Sequence, residues 1–250
     1  MWHRSLAGFA VLLSLAGCRP SARPVTTTSD DGSSTSASGQ AAASRDHSLV
    51  RVVNAMASGP RLSVLADERT VFDGVASSEV TRYRELDEDM VTFSVRPSAE
   101  PAANGEGGNR EMLSDGKRYT AVILPGDKPG HRRLTVLIDD LITPKGKARV
   151  RVIHAAEGAG DVDLVFVGRK DALFDGVKFG GPSEYKDVDP TSGRLEVRRG
   201  GEQLVLASLT DLQLSAGVSA TIVISGGPKG PLHIMTFEDR AGTPETALTR

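Results

Sequence analysis

Beyond residue 48, hydrophobic and polar positions alternate with a period of two. In "ARVRVIHA" (148–155), Val150, Val152 and His154 fall on one face and Arg149, Arg151 and Ile153 on the other. Val162, Leu164 and Phe166 alternate with Asp161, Asp163 and Val165, and Leu195 and Val197 with Arg194, Glu196 and Arg198. Successive strand side chains point to opposite faces, so this pattern predicts half-buried strands. Turn-forming clusters interrupt the runs about every eight to twelve residues, the spacing of a β-sandwich. "YTAVIL" (119–124) and "ATIVIS" (220–225) are apolar on both faces and are expected to be the most buried strands. No helical run follows the N-terminal segment. The Gly-rich "EPAANGEGGNRE" (100–111) reads as a mobile insertion.

The strand pattern occurs twice in the same order. "VRVVNA" (50–55) returns as "VRVIHA" (150–155), and "VFDGV" (71–75) as "LFDGV" (173–177). Tyr83 in "TRYRELD" matches Tyr185 in "SEYKDVD", and "VTFSVR" (91–96) matches "GRLEVR" (193–198). "LSDGKRYTAVI" (113–123) matches "LSAGVSATIVI" (214–224), and "LTVLIDD" matches "LHIMTFED". A tandem duplication of one domain is the simplest reading, with "ITPKGK" (142–147) as linker. The expected fold is all-β: two tandem immunoglobulin-like or transthyretin-like antiparallel β-sandwich domains, over 48–141 (the divergent copy) and 148–239. The repeated FDGV reads as a turn, its Gly supplying positive φ between two strands.

The second copy carries "ARVRVIHAAEGAGDVDLVFVG", "LFDGVKFGGPSEYKDVDP" and "RLEVR". It resembles the bacterial domain-of-unknown-function family 4397, whose members read R-V-V-H-A-S-P-D-A-P-x-V-D-V-Y-V-x-G, then F-x-x-V-x-F-G and a Tyr before a short turn. The resemblance covers 148 to about 239 and, less closely, 49 to about 140. The first copy has Asn54 where the family has His, and "EGAGD" replaces the Pro-Asp turn in the second. The resemblance implies a secreted or surface β-sandwich, often in tandem, and supplies no catalytic residues.

The N-terminus adds an address. A short basic start, an apolar stretch from Leu6 to Leu15 and the small pair Ala16-Gly17 make a signal peptide over 1–17. The stretch is too short to span a bilayer, which takes about 20 apolar residues. "LAGC" (15–18) resembles the lipobox of bacterial lipoproteins, which implies lipidation of Cys18, the chain's one cysteine. A thiol is the side chain nucleophilic enough to take the lipid, and acyl chains such as palmitate anchor by about 0.8 kcal/mol per buried methylene. The alternative is an ordinary secretory signal with a cysteine beside its cleavage site. Arg19, where inner-membrane lipoproteins carry Asp, favours the outer membrane. Residues 18–47, rich in Ser, Thr, Ala and Gly, are expected to form a disordered tether spanning roughly 30 Å. Residues 240–250 are expected to be a disordered tail.

Charge narrows the partners. The formal net charge is −2, and no basic stripe with interleaved aromatics runs along the chain, so nucleic acid is not expected as a partner. The one tryptophan, Trp2, lies in the signal peptide.

Candidate chemistry is sparse. His154 reads either as a ligand or general base near Tyr185, or as a histidine that hydrogen-bonds a turn. Asn54 in the first copy favours the latter, since Asn replaces a hydrogen bond but not a titrating base. Asp161/Asp163 and Asp187/Asp189 each share a strand face, but the loop grammar of a calcium site is missing, and solvated edge charge is the simpler reading. His47, His131, His154 and His233 show no paired spacing, so no metal is expected. "GGPSEY" (180–185) is not a hydrolase elbow, and no cofactor is implied. The ligand-binding candidates are therefore His154, Tyr185, Asp161 and Asp163, and no residue is assigned a catalytic role. The expected function is a non-catalytic, lipid-anchored cell-envelope module, held to the membrane through Cys18 and binding an envelope protein or polymer. A carbohydrate-binding module is the alternative, with Tyr185 in its site. An enzyme is third and would need His154 and the aspartates to converge.

Overall fold

The computed structural model describes residues 47–87, 89–227 and 230–239. Residues 1–46, which include the expected signal peptide, Cys18 and most of the expected tether, and the expected tail from 240 onward lie outside the described residues. Among the described residues every regular element is a strand, and no helix is long and apolar enough to cross a membrane.

The strands make four sheets, and these make two β-sandwiches. In the first sandwich, β1 (Ser48–Asn54), β4 (Arg84–Leu86), β7 (Arg118–Pro125) and β8 (Arg132–Ile138) form a sheet in the order β4-β1-β7-β8. It packs on β2 (Leu62–Ala66), β3 (Arg69–Val75), β5 (Met90–Pro97) and β6 (Glu106–Met112), in the order β3-β2-β5-β6. The second sandwich repeats the plan. One sheet holds β9 (Ala148–Ala156), flanked by β12 (Gly181–Pro182) and β13 (Lys186–Val188), then β16 (Ser219–Gly226) and β17 (His233–Glu238). The other holds β10 (Val162–Phe166), β11 (Phe174–Val177), β14 (Thr191–Arg199) and β15 (Val205–Leu214), in the order β11-β10-β14-β15.

Two pairings depart from the antiparallel expectation. β1 runs parallel to β7, and β9 parallel to β16. In each sandwich the first strand and the penultimate one enter the sheet from the same end, a neighbourhood no hairpin can make. The other ladders are antiparallel.

Alternation sets the cores. Val50, Val52, Ala121 and Ile123 pack on Val64, Phe72, Phe93 and Val95 in the first sandwich. Val150, Val152, Ile222 and Ile224 pack on Leu164, Phe166, Leu195 and Val197 in the second. Each Val, Leu, Ile or Phe side chain among them contributes about 1.5–3 kcal/mol when fully buried. β16 is buried at every position and β7 at all but Arg118, as their two-faced apolarity predicts. The reason is a third apolar cluster. Val53, Ala55, Val122 and Leu124 meet Ile153, Ala155 and Val223, so the outward faces of β1/β7 and β9/β16 bury each other.

Two local expectations fail. FDGV is not a turn between strands but lies inside edge strands β3 and β11. Gly74 (φ 71°) and Gly176 (φ 58°) do take the positive φ, each beside a register shift, which makes the motif a β-bulge. The Gly-rich insertion is a strand over much of its length, since Glu106–Met112 is β6. Gly107 (φ 66°) lies against the backbone of Arg132 and Arg133, where a Cβ would clash, so glycine serves close approach there rather than mobility.

β1 and β9 both start at the end where β8 and β17 finish, which gathers Ser48, the linker and Asp239 at one end of the strands. The β1–β2, β5–β6, β9–β10 and β14–β15 loops lie at the other end.

Candidate functional site

The most concentrated chemistry among the described residues sits between the two sandwiches. In Val50-Arg51-Val52 and Val150-Arg151-Val152 the valines enter the cores, so alternation turns each arginine to the opposite face. That face is covered by the other sandwich, and both arginines are buried. In register with them stand Thr120 on β7 and Thr221 on β16. Each arginine donates from Nε to its threonine Oγ1 at 2.9 Å.

The arginine tips then cross over. Arg51 donates from Nη2 to Asp239 of the second sandwich, and Arg151 donates from Nη2 to Asp139 of the first. The acids directly follow β8 and β17, and each is fixed by its backbone N–H, Asp139 to Arg118 O at 2.8 Å and Asp239 to Ser219 O at 2.7 Å. Each acid is also held by its own sandwich. Tyr83 Oη donates to Asp139 Oδ2 at 2.6 Å, and Thr120 Oγ1 lies 2.6 Å from the same oxygen. Tyr185 Oη donates to Asp239 Oδ2 at 3.2 Å, and Thr221 Oγ1 donates to it at 2.9 Å. The threonine hydroxyl relays, accepting from the arginine and donating to the acid.

The set is reciprocal but not identical in its halves. Arg51 Nη2 also lies 3.5 Å from Asp139 Oδ2, so Asp139 meets both arginines. The Arg51 guanidinium stacks between Tyr83 (4.8 Å) and Phe237 (4.7 Å). Arg151 stacks on Tyr185 (4.7 Å) and also donates from Nη1 to Ile138 O at 3.2 Å. Two guanidinium groups and two carboxylates leave the buried set neutral, which such burial requires.

The environment shifts the titrating groups accordingly. For Arg51, burial disfavours the charge, but Asp139 and Asp239 outweigh it and raise its pKa above the usual value. Tyr83 is raised, first by burial and then by the Asp139 charge. Tyr185 is raised by burial, against the pull of Arg151 and with the help of Asp239. Both phenols stay neutral donors.

The predicted site residues fall in three places. Of the four, Tyr185 alone belongs to this network. His154 is fully buried at the far end of β9. Its Nε2 lies 2.8 Å from Gly160 O, and its Nδ1 accepts from Ala156 N–H at 3.2 Å. Burial lowers its pKa, against the opposing Gly160 hydrogen bond. Asn54 does the same work in the first sandwich. Its Oδ1 accepts from Met56 N–H at 3.2 Å, and its Nδ2 donates to Val75 O at 3.3 Å. Both ring nitrogens of His154 are engaged with backbone, which leaves neither free for a ligand. Asp161 is exposed and pairs with Lys178 at 3.0 Å. Asp163 accepts from Gly176 N–H (2.7 Å) and Gly201 N–H (2.9 Å), tying the β11 bulge to the β14–β15 turn. Asp187 and Asp189 pair with Arg149 and Lys147. Among the described residues no group of three or more His, Cys, Asp or Glu side chains is arranged to hold a metal ion.

None of Arg51, Arg151, Asp139 and Asp239 is among the residues expected from the sequence to form a site. The available signal was an arginine between two valines in Val50-Arg51-Val52 and Val150-Arg151-Val152, together with an acid just after the last strand of each sandwich.

Residues 48–165 match the model of the family described as Domain of unknown function (DUF4397). The match runs through the first sandwich and into β10 of the second, rather than over 148–239, where the motifs read most closely. No curated protein matches the chain. Among solved structures, the C-terminal domain of AlgF from P. aeruginosa is 19% identical, covering 38% of this chain and 99% of that one, with a TM-score of 0.32. A putative cell adhesion protein from Bacteroides uniformis is 12% identical, covering 77% of this chain and 97% of that one, with a TM-score of 0.23. A family CBM26 module from Eubacterium rectale, in complex with maltoheptaose, is 10% identical, covering 79% and 100%, with a TM-score of 0.24.

Proposed function

We propose that the protein is a non-catalytic binding or structural module of the bacterial cell envelope, lipid-anchored at Cys18, whose two sandwiches are tandem copies working as one rigid body. The observation that carries this reading is the reciprocal Arg51–Asp239 and Arg151–Asp139 network. It engages two arginines, two aspartates and two tyrosines in holding the halves together. Ser48, where the tether joins, lies at the end of the strands opposite the β1–β2, β5–β6, β9–β10 and β14–β15 loops. A tethered body of this kind presents those loops away from its anchor, toward an envelope protein or polymer.

Two experiments test it. Radiolabelled palmitate should enter the wild-type protein and not Cys18→Ala, with the label in the outer-membrane fraction; equal labelling of both would remove the anchor from the account. Envelope extracts should yield a specific partner in pull-downs, and recovery of nothing at any salt concentration would count against a binding role.

The carbohydrate alternative changes place. Tyr185 has its hydroxyl on Asp239 and its ring under Arg151, so it offers no sugar platform. A groove of about 840 Å³ on the outer face of the first sandwich, lined by Thr92, Ser94, Arg96 and Asn104, has the donors a sugar would use. Glycan binding abolished by Arg96→Ala would favour that reading, and glycan binding unaffected by it would remove the groove from consideration.

A further inference from the structure

The contacts that join the sandwiches are made by corresponding residues on the two sides. Arg51 reaches Asp239 as Arg151 reaches Asp139; Tyr83 and Thr120 hold one acid as Tyr185 and Thr221 hold the other. The apolar part follows the same rule, with Val53 and Val122 answering Ile153 and Val223. Such an interface has the form of a two-fold dimer contact drawn inside one chain. The covalent connection across it is the segment between β8 and β9, residues 139–147. Asp140 is fastened, its carboxylate to Arg149 and its carbonyl to Ser219 Oγ at 3.3 Å. Beyond Asp140 the segment is open, with Ile142 82% exposed and a local Lys147 N–H to Pro144 O bond of 3.0 Å.

We propose that the same interface forms between two copies of the chain. The second sandwich of one copy docks on the first sandwich of the other, and the exchange closes as a two-fold dimer. Each inter-sandwich contact named above is retained, because each joins residues on opposite sides of the hinge. What changes is the path of residues 141–147 and the loss of one chain's free translation. A short linker gives the closed monomer an effective concentration on the order of mM, so the monomer dominates in dilute solution and the exchanged dimer gains as chain concentration approaches that level. The partner is chosen by the buried charges. An arriving face must bring an arginine, a tyrosine- and threonine-held acid and a small apolar patch in one register, or it leaves charges buried without partners. This chain's own sandwiches bring that set. The proposal stands on the interface and does not depend on the envelope reading.

A mixing experiment decides it. The full chain carries Cys18→Ala throughout, which removes the one thiol. Arg51→Ala and Asp239→Ala are made in separate chains, and each breaks the Arg51–Asp239 pair within its own monomer. When the two are refolded together, an exchanged dimer has one wild-type interface, since Arg51 comes from one chain and Asp239 from the other. The expected result is at least a tenfold greater dimer fraction in the mixture than in either variant alone, read by sedimentation. A mixture with no more dimer than its components overturns the proposal. A second arm covers variants that fail to fold. Wild-type chains bearing two different mass tags are refolded together and measured at a chain concentration on the order of mM, where mixed-tag dimers are expected. Monomers alone would overturn the proposal. So would wild-type dimers without rescue in the variant mixture, because the copies would then associate through another surface.

Discussion

The two sandwiches agree most where they face each other and least where they face away. On the shared face the pairs Arg51/Arg151, Thr120/Thr221, Tyr83/Tyr185 and Asp139/Asp239 are the same residue at the same place in each plan. On the outer sheets the plans diverge. β6 is a glycine-bearing strand that packs on β8, whereas its counterpart β15 runs from Val205 to Leu214 with a positive φ at Asp211 (60°). A buried charge tolerates no change without its partner, while an edge strand tolerates many. The junction, more than either fold alone, is the part of this molecule under tight physical constraint.

Removing one arginine should have the largest effect. Arg51→Ala should destabilise the protein by about 3–5 kcal/mol, because it leaves Asp239 buried without its cation. Arg151→Ala should cost less, since Asp139 keeps Arg51 at 3.5 Å along with Tyr83 and Thr120. Denaturant midpoints of the two variants would rank them, and the reverse order would mean that the halves are not coupled as drawn. Next in size is the apolar cluster. Ile153→Ala should cost about 2–5 kcal/mol, and hydrogen exchange should rise on β1 and β7 across the interface as well as on β9. Exchange rising on β9 alone would confine Ile153 to its own sandwich.

Tyr83→Phe comes third, at about 1.5–3 kcal/mol for a hydrogen bond to a buried charge. Because folding raises the tyrosine pKa, the phenol's contribution is complete below the unfolded value of 10 and is lost as pH rises above it. The alkaline limb of a stability–pH curve should therefore be shallower in Tyr83→Phe than in wild type. The smallest effect separates His154 from Asn54. Folding lowers the His154 pKa from 6.5, so its contribution is complete above pH 6.5 and is lost as pH falls below that value toward the folded one. His154→Asn, which copies the first sandwich, should remove that acid limb and leave neutral stability little changed, as calorimetry at stepped pH would read.

Much of the architecture was legible because alternation is a local signal. Val150/Val152, Leu164/Phe166 and Leu195/Val197 face the core as the period of two demands, and the two-faced apolarity of 119–124 and 220–225 marks the central strands. Parallel pairing of β1 with β7 was not legible, since nothing in a strand's own sequence states its neighbour's direction. FDGV and the 106–112 segment were misplaced because glycine signals a turn, a bulge and a close approach alike, and the three differ only in tertiary context. The His154 role was legible through Asn54, a substitution that keeps hydrogen bonds and loses titration. The junction was missed for a related reason. Arg51 and Arg151 occupy the positions that an exposed strand face would give to solvent, and only the stacked second sandwich converts those positions into a buried set.

A double-mutant cycle on Arg51→Ala and Asp239→Ala, followed by denaturant unfolding, tests the reciprocal junction most directly. A coupling energy of about 2–3 kcal/mol is expected, the upper range for residues in contact. Additive losses, with coupling near zero, would show that the sandwiches stand side by side without sharing their buried charges.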